Sequence, residues 1–114
     1  MKYMLLIHQG TALETQAALP QDQQQQVWAD YAAINKTAGF TPGMRMGDPE
    51  TATTVRVQDG SALTTDGPFV ETKEALGGYC FFEADDLDAA IELASRIPAA
   101  SMGGAIEVRP IAEW

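Results

Sequence analysis

The sequence is poor in the residues on which metal sites, disulfide frameworks and nucleic-acid interfaces depend. It has one cysteine, one histidine, and seven lysines and arginines against sixteen aspartates and glutamates. One cysteine cannot form an internal disulfide, and one histidine with one cysteine offers no zinc-type ligand spacing. The net charge of −9 disfavours a phosphate backbone or an anionic membrane as a partner. We therefore expect no metal, no nucleic acid and no membrane contact.

Long apolar runs and nucleotide-binding motifs are also missing. The apolar run at residues 3–7 ends at His8, which leaves it too short for a signal peptide or a membrane-spanning helix. There is no GxGxxG, no GxxxxGK and no serine in a nucleophile elbow. These absences predict a cytoplasmic protein without a cofactor. The length of 114 residues corresponds to a single domain, residues 1–114.

Apolar patterns predict four strands of a sheet. Residues 3–7 are a continuous apolar run of strand length, which is typical of a strand buried on both faces or central in a sheet. Residues 78–83 are predicted as a strand from the apolar run at residues 79–82. Residues 40–46 contain Pro and Gly and are predicted as a kinked edge strand. Residues 105–111 alternate apolar and polar side chains and are predicted as the last strand. Residues 10–19 are expected to be a polar loop.

Two helices are predicted between these strands. The first opens at Pro20, with Asp22 near the positive end of its dipole, and ends at Gly39. The second opens after Asp85-Asp86 and ends at Pro98. The apolar face of the first helix is predicted to comprise Val27, Trp28, Tyr31, Ala32, Ile34 and Ala38. The apolar stripe of the second is predicted to comprise Leu87, Ala90, Ile91, Ala94 and Ile97.

A β-hairpin is inserted into this order of elements. Asp59-Gly60 lies between the β-rich residues 53–57 and 62–64 and is the strongest short-range signal for a hairpin. Without it, the order is the βαββαβ pattern of a ferredoxin-like α+β fold. Two helices on one sheet face leave the other face bare. We therefore expect a homodimer whose sheets pack face to face as a dimeric α/β barrel.

The stretch TTDGPFVETKEALGGY, residues 64–79, has features that neither a plain strand nor a plain helix needs. Asp66-Gly67-Pro68 is a turn signal, and an aromatic residue follows directly on this corner. Gly77-Gly78 removes two side chains where a strand begins, which often marks a close approach by backbone or ligand. We predict a small-molecule site at this corner. The candidate substrate-binding residues are Phe69, Glu71, Lys73 and Gly78.

His8 is the only side chain that titrates near neutral pH without perturbation, so it is the candidate general acid or base. A carboxylate at its other ring nitrogen would orient it, with Asp66 as the first candidate and Glu71 as the second. The alternative is that His8 only ends a strand and that Asp66 only forms a turn. His8 and Asp66 are therefore the predicted catalytic residues, and whether the protein is an enzyme stays open.

Other side chains also have two interpretations. Cys80 lies in the apolar run at residues 79–82 and is interpreted as a small buried residue, since a catalytic thiolate would need a cationic partner. Lys73 could hold an anionic group of a ligand or pair with a surface glutamate. The same two roles are open for Arg45 and Arg109, and for Arg56.

The chain resembles the YCII-related family, in its DGPF-containing branch. The resemblance rests on MKYMLLIH at the start, on TATTVRVQDG and on DGPF, ETKE and GGY in the centre, and on AIEVRPI near the end. It implies a dimeric α+β barrel. Some relatives act on halogenated aromatic compounds as dehydrochlorinases, and others are encoded beside sigma factors. A His–Asp pair has been proposed as the catalytic element of the wider family, and only His8 and Asp66 could match it here.

Two functional hypotheses follow from these residues. In the first, the protein is a cofactor-free lyase or isomerase in which His8 moves a proton and Asp66 orients it. In the second, the dimer binds a small molecule or a protein without chemistry, in a role linked to sigma-factor regulation.

Overall fold

The computed structural model describes residues 1–67 and 76–112. These residues form a mixed α+β fold with a four-stranded antiparallel sheet, a two-stranded sheet and three α-helices. The strands are β1 (Lys2–His8), β2 (Phe40–Arg45), β3 (Thr53–Gln58), β4 (Ser61–Asp66), β5 (Leu76–Glu83) and β6 (Ala105–Pro110). The helices are α1 (Ala12–Ala17), α2 (Gln21–Asn35) and α3 (Leu87–Ser95), with 3₁₀ turns at Pro49–Thr51 and Pro98–Ser101. None of the helices in this part of the chain is long and apolar enough to cross a membrane.

The larger sheet has the strand order β2-β5-β1-β6, with β1 and β5 in the centre, and the apolar run of β1 predicted its central position. In the register between these two strands, Leu5 lies opposite Cys80 and Tyr3 opposite Phe82. Because side chains alternate along a strand, these four point to the same face, where all four are buried. β2 lies at the edge of the sheet, which confirms the prediction made from its proline.

The core lies between this face and helices α2 and α3. Val27 and Ile34 of α2 are buried in the core, as predicted. On α3 the prediction was partly wrong, because Leu87 and Ile91 are each 49 % exposed while Leu93 is fully buried. On a helix as short as α3, a period of 3.6 residues is compatible both with the predicted apolar stripe and with the one that the structure buries. The 3₁₀ turn after α3 is itself packed into the core, where Pro98 and Ala99 are buried.

Two local predictions were wrong. Residues 10–19 were expected to be a polar loop, but they include α1, whose first residue, Ala12, packs into the core. A helix of six residues is too short to show a readable apolar period. α2 ends at Asn35 rather than at Gly39, because the chain must then turn into β2. Gly39 makes that turn at φ +86°, and a Cβ there would lie 2.6 Å from the carbonyl oxygen of Glu83.

β3 and β4 form a hairpin between β2 and β5. Its turn is Asp59-Gly60, with φ values of +51° and +78°, and a type I′ turn requires two positive values. The predicted hairpin is therefore confirmed, with strands that extend to Gln58 and Asp66. Every residue of both strands except Thr54 is exposed.

The sheet face that points away from the helices carries partly buried apolar side chains. They are Met4 and Leu6 of β1 and Tyr79 and Phe81 of β5. Across residues 1–67 and 76–112 the sheet is open, and one copy of the chain does not close a barrel. The expected dimeric barrel would need a second copy, with this bare sheet face as the contact.

Candidate ligand-binding cavity

A cavity of about 670 Å³ lies between helices α1 and α2 and the sheet edge formed by β2 and β5. Small-molecule sites usually have volumes of about 300–1,000 Å³. The cavity reaches the end of β1 and the start of β5, where Ile7, Gln9 and Gly78 line it. Gly78 pairs with Ile7, and a Cβ on it would lie 3.2 Å from the carbonyl oxygen of Met44. Glycine at this position therefore lets β5 approach β2 closely at the cavity wall.

Part of the rim of the cavity is apolar. Leu13 of α1, Trp28 of α2 and Met44 of β2 line it and are 44 %, 60 % and 64 % exposed. Single exposed apolar side chains are ordinary, but three around one opening form a patch that marks a binding surface. A ligand with an apolar body would be stabilised by covering them.

Tyr31 and Arg45 are among the polar residues that line this cavity, which also include Gln9, Gln16, Gln24 and Asn35. Burial raises the pKa of the Tyr31 phenol, while a backbone hydrogen bond with Ala99 and the charge of Arg45 partly oppose that shift. The phenol is therefore protonated at neutral pH and can donate a hydrogen bond.

The thiol of Cys80 lies at the cavity wall. Cys80 is 4 % exposed, and burial raises its pKa from 9.0 to about 11. Since the thiolate is the nucleophilic form, Cys80 is unsuited to nucleophilic chemistry at neutral pH. The interpretation of Cys80 as a small buried residue is confirmed. No three histidine, cysteine, aspartate or glutamate side chains of the described ranges are grouped so as to hold a metal ion.

His8 lies on the opposite face of the sheet from the cavity. Its neighbours Ile7 and Gln9 line the cavity, and alternation along β1 turns the imidazole the other way. There, Nε2 of His8 is 3.4 Å from Oε1 of Glu107, and Oε2 of Glu107 is 3.4 Å from Nε of Arg109. This arrangement was not predicted, because it depends on the register between β1 and β6.

Asp66, the predicted partner of His8, ends β4 in the smaller sheet. It is paired with Thr53 in the hairpin and is exposed. Within residues 1–67 and 76–112, the structure places the carboxylate of Glu107 beside His8. The pairing of His8 with Asp66 stays a prediction. The predicted binding residues that lie outside the described ranges are Phe69, Glu71 and Lys73.

Helix α2 contributes more to the cavity than its sequence pattern suggested. Trp28 and Tyr31 were assigned to the core face, yet they line the cavity together with Gln24 and Asn35. These four residues recur at intervals of three or four and so share one helical face. Amides and aromatic rings on one face are typical of a ligand site, and this mixture was the available signal. Arg45 had no comparable signal in the sequence.

Together these features define a small α+β protein with a ligand-sized cavity between its helices and its sheet. The family model of the YCII-related domain matches residues 1–114. A protein of Rhizobium meliloti (strain 1021), named Uncharacterized protein R00369, is 31 % identical over 117 residues, which span 98 % of this chain and 93 % of that protein. The chain therefore belongs to the YCII-related domain family. The resemblance seen in its sequence is confirmed at the level of this family.

Proposed function

We propose that this protein is a homodimer that binds a small organic molecule in the cavity between α1, α2, β2 and β5. The observation that carries the proposal is the cavity of about 670 Å³, with Leu13, Trp28 and Met44 at its rim and Tyr31 and Arg45 in its lining. An apolar surface with a few convergent polar groups is the usual composition of such sites. The cavity also includes Gly77 and Gly78 at the start of β5, which belong to the stretch 64–79 in which the sequence predicts a site.

The groups in the cavity favour binding over proton transfer. Tyr31 and Cys80 both have raised pKa values, so at neutral pH both hold their protons and neither serves as a general base. His8, the residue best suited to acid–base chemistry, faces the other side of the sheet. The described side chains of the cavity would therefore hold a ligand rather than convert it.

A second candidate function is that of a cofactor-free lyase or isomerase with His8 as its acid–base group. The observation that favours it is the Glu107 carboxylate 3.4 Å from Nε2, since a carboxylate can orient an imidazole for proton transfer. Asp66 remains the orienting residue proposed from the sequence. The substrate would lie on the bare sheet face, between two copies of the chain. Turnover that survives His8→Ala would exclude this candidate, and turnover lost without a change in melting temperature would support it.

The proposal extends to the assembly and the finer fold. The antiparallel order β2-β5-β1-β6, with α2 after β1 and α3 after β5, supports a ferredoxin-like arrangement. The bare sheet face carries Met4, Leu6, Tyr79 and Phe81, and two such faces packed together would form a dimeric barrel. Membership of the DGPF branch, a cytoplasmic location and a link to sigma-factor regulation are proposals that rest on the sequence.

The ligand site is tested by a fragment screen with amide NMR and a variant that fills the cavity. Ala32 of α2 lines the cavity, whereas Ala29, almost one turn earlier, is exposed and is not among the described lining residues. Ala32→Trp should abolish the binding of cavity ligands, and the matched control Ala29→Trp should retain it. Shifts in the wild type should appear at lining residues such as Ile7 and Gly78. Equal binding to both variants, or shifts confined to the β3–β4 hairpin, would contradict the proposal.

A further inference from the structure

The charge around the cavity differs from the charge of the protein as a whole. The chain has sixteen acidic and seven basic side chains. None of the described residues that line the cavity is acidic, and Arg45 is the one charged residue among them. Among the described lining residues a cationic ligand would find no carboxylate, whereas an anionic ligand would meet a guanidinium and no like charge. The described lining therefore favours an anion, although the net charge of the chain is −9.

The pairing of β2 with β5 positions Arg45. The register of this pair shifts between Pro42 and Arg45, which brings Arg45 opposite Gly78 at the cavity wall. Ion pairs in residues 1–67 and 76–112 join Met1 to Glu83, His8 to Glu107, Arg96 to Glu92 and Arg109 to Glu107. Within these ranges Arg45 has no acidic partner, so its donors are available to a ligand.

Tyr31 adds a second donor to the lining that contains Arg45. Burial raises the pKa of the phenol, so the phenol keeps its proton at neutral pH and its O–H can donate to a ligand. The described lining therefore holds an N–H donor group and an O–H donor, besides the amides of Gln24 and Asn35.

We infer that the cavity binds a monocarboxylate with an apolar body, and that the Arg45 guanidinium and the Tyr31 hydroxyl hold its carboxylate. The inference rests on the proposed function and names the class of ligand. A guanidinium can form two parallel hydrogen bonds to a carboxylate, and its single positive charge matches one negative charge. The apolar body would cover Leu13, Trp28 and Met44 at the rim.

Three probes with the same apolar body and different charge test the inference: hydrocinnamate, hydrocinnamamide and phenylpropylammonium. Their dissociation constants are measured with the wild-type protein by amide NMR titration. We expect the carboxylate to bind at least about tenfold more tightly than the amide, because hydrogen bonds to a charged group are the stronger ones. The ammonium compound should bind most weakly at the cavity. Since the overall negative charge opposes this order, the order would reflect the cavity itself.

Substitutions then separate the two donors. Arg45→Gln should weaken hydrocinnamate binding at least about tenfold and change hydrocinnamamide binding by less than about twofold. Tyr31→Phe should weaken hydrocinnamate binding by about fivefold. The matched control is Arg96→Gln, which removes one positive charge from the end of α3, outside the described cavity lining, and should change neither affinity. Melting curves establish that each variant is folded, and the comparison of probes in the wild type needs no variant.

The outcomes distinguish the inference from the proposed function. If the carboxylate and the amide shift cavity residues with equal affinity and Arg45→Gln changes neither, the cavity is a binding site and the inference is overturned. If Arg96→Gln reduces the preference for the carboxylate as much as Arg45→Gln does, the preference is an effect of net charge. This outcome also overturns the inference. If none of the probes shifts a cavity residue at millimolar concentration, the proposed function and the inference both fail. A carboxylate preference that only the cavity variants remove would establish the inference.

Discussion

Nε2 of His8 lies 3.4 Å from Oε1 of Glu107, although the two residues are 99 positions apart in the sequence. They lie on the paired strands β1 and β6, where Leu6 is the residue directly opposite Glu107. The contact is therefore a diagonal one across neighbouring strands. It gives the single histidine of the chain a carboxylate neighbour on the sheet face opposite the cavity.

Replacing Glu107 by Gln is expected to change the imidazole of His8 more than replacing Asp66 by Asn. A carboxylate beside one ring nitrogen favours one tautomer, so its removal should move the nitrogen-15 resonances of the ring. Assignment is direct because the chain has one histidine. Resonances that respond to Asp66→Asn and not to Glu107→Gln would contradict this expectation and support the pair predicted from the sequence.

Phe81→Asp is expected to convert a dimer into a monomer. The ring of Phe81 meets that of Tyr79 edge-on, with centroids 5.9 Å apart, on the bare sheet face. A carboxylate at this position would be costly to bury against a second copy. Sedimentation equilibrium should show twice the chain mass of 12.3 kDa for the wild type and one chain mass for the variant.

Leu87→Asp is the control for this experiment. Leu87 is 49 % exposed on α3, on the helix side of the sheet, so this variant should remain dimeric. A wild-type protein that sediments as a monomer would contradict the proposed face-to-face dimer, as would a Phe81→Asp variant that remains dimeric.

We expect the thiol of Cys80 to be alkylated slowly. We also expect its ionisation to lower the free energy of unfolding in alkaline solution. With the pKa raised from 9.0 to about 11, the thiolate fraction near neutral pH is lower by about a hundredfold, so alkylation by iodoacetamide should be at least that much slower than in urea-unfolded protein.

The unfolded thiol ionises near pH 9.0 and the folded thiol near pH 11, so the folded state binds more protons between these values. The contribution to the free energy of unfolding is therefore complete below about pH 9 and is lost as the pH rises towards about 11.

Cys80→Ala isolates this contribution from that of other alkaline groups. The free energy of unfolding from urea titrations should fall less steeply in the variant than in the wild type across this pH interval. The same slope in both proteins, or rapid alkylation of the folded wild type, would show that the thiol is more accessible to water than the structure indicates.

Gly39→Ala is expected to destabilise the protein more than Gly60→Ala. Both positions have positive φ, +86° and +78°, so alanine is strained at either by about 1–2 kcal/mol. At Gly60 nothing lies within 4 Å of an added Cβ, whereas at Gly39 that atom would lie 2.6 Å from the carbonyl oxygen of Glu83. Moving β5 to relieve this contact should add about 1–3 kcal/mol. Urea unfolding measures both losses, and equal losses would mean that the turn adjusts without disturbing β5.

Elements specified by local chemistry were predicted well. Asp59-Gly60 forms the hairpin turn because both residues tolerate positive φ, which depends on no distant contact. Asp86, one of two candidate caps for α3, accepts a hydrogen bond of 2.9 Å from the amide of Ala89. α1 was missed because its six residues are too few to show a helical period.

The candidate site was only partly predictable. Gly78 was predicted as a binding residue, because glycine at a strand start signals a close approach. The structure places it in the cavity lining. Tyr31 and Arg45 were noted without being assigned to a common site, since they line one cavity only when α2 packs beside the edge strand β2. His8 was assigned to a site beside the corner, but alternation along β1 turns it away from the cavity.

The sequence by itself determined the order of the strands and of the two longer helices, the hairpin turn and membership of the family, because periodicity and turn chemistry act over a few residues. Only the tertiary structure decided that Ile7 faces the cavity while His8 faces Glu107. Periodicity separates the two faces of a strand but does not show what covers each one. The cavity of about 670 Å³ is the space that side chains from distant segments leave unfilled, and its existence depends on how the whole chain packs.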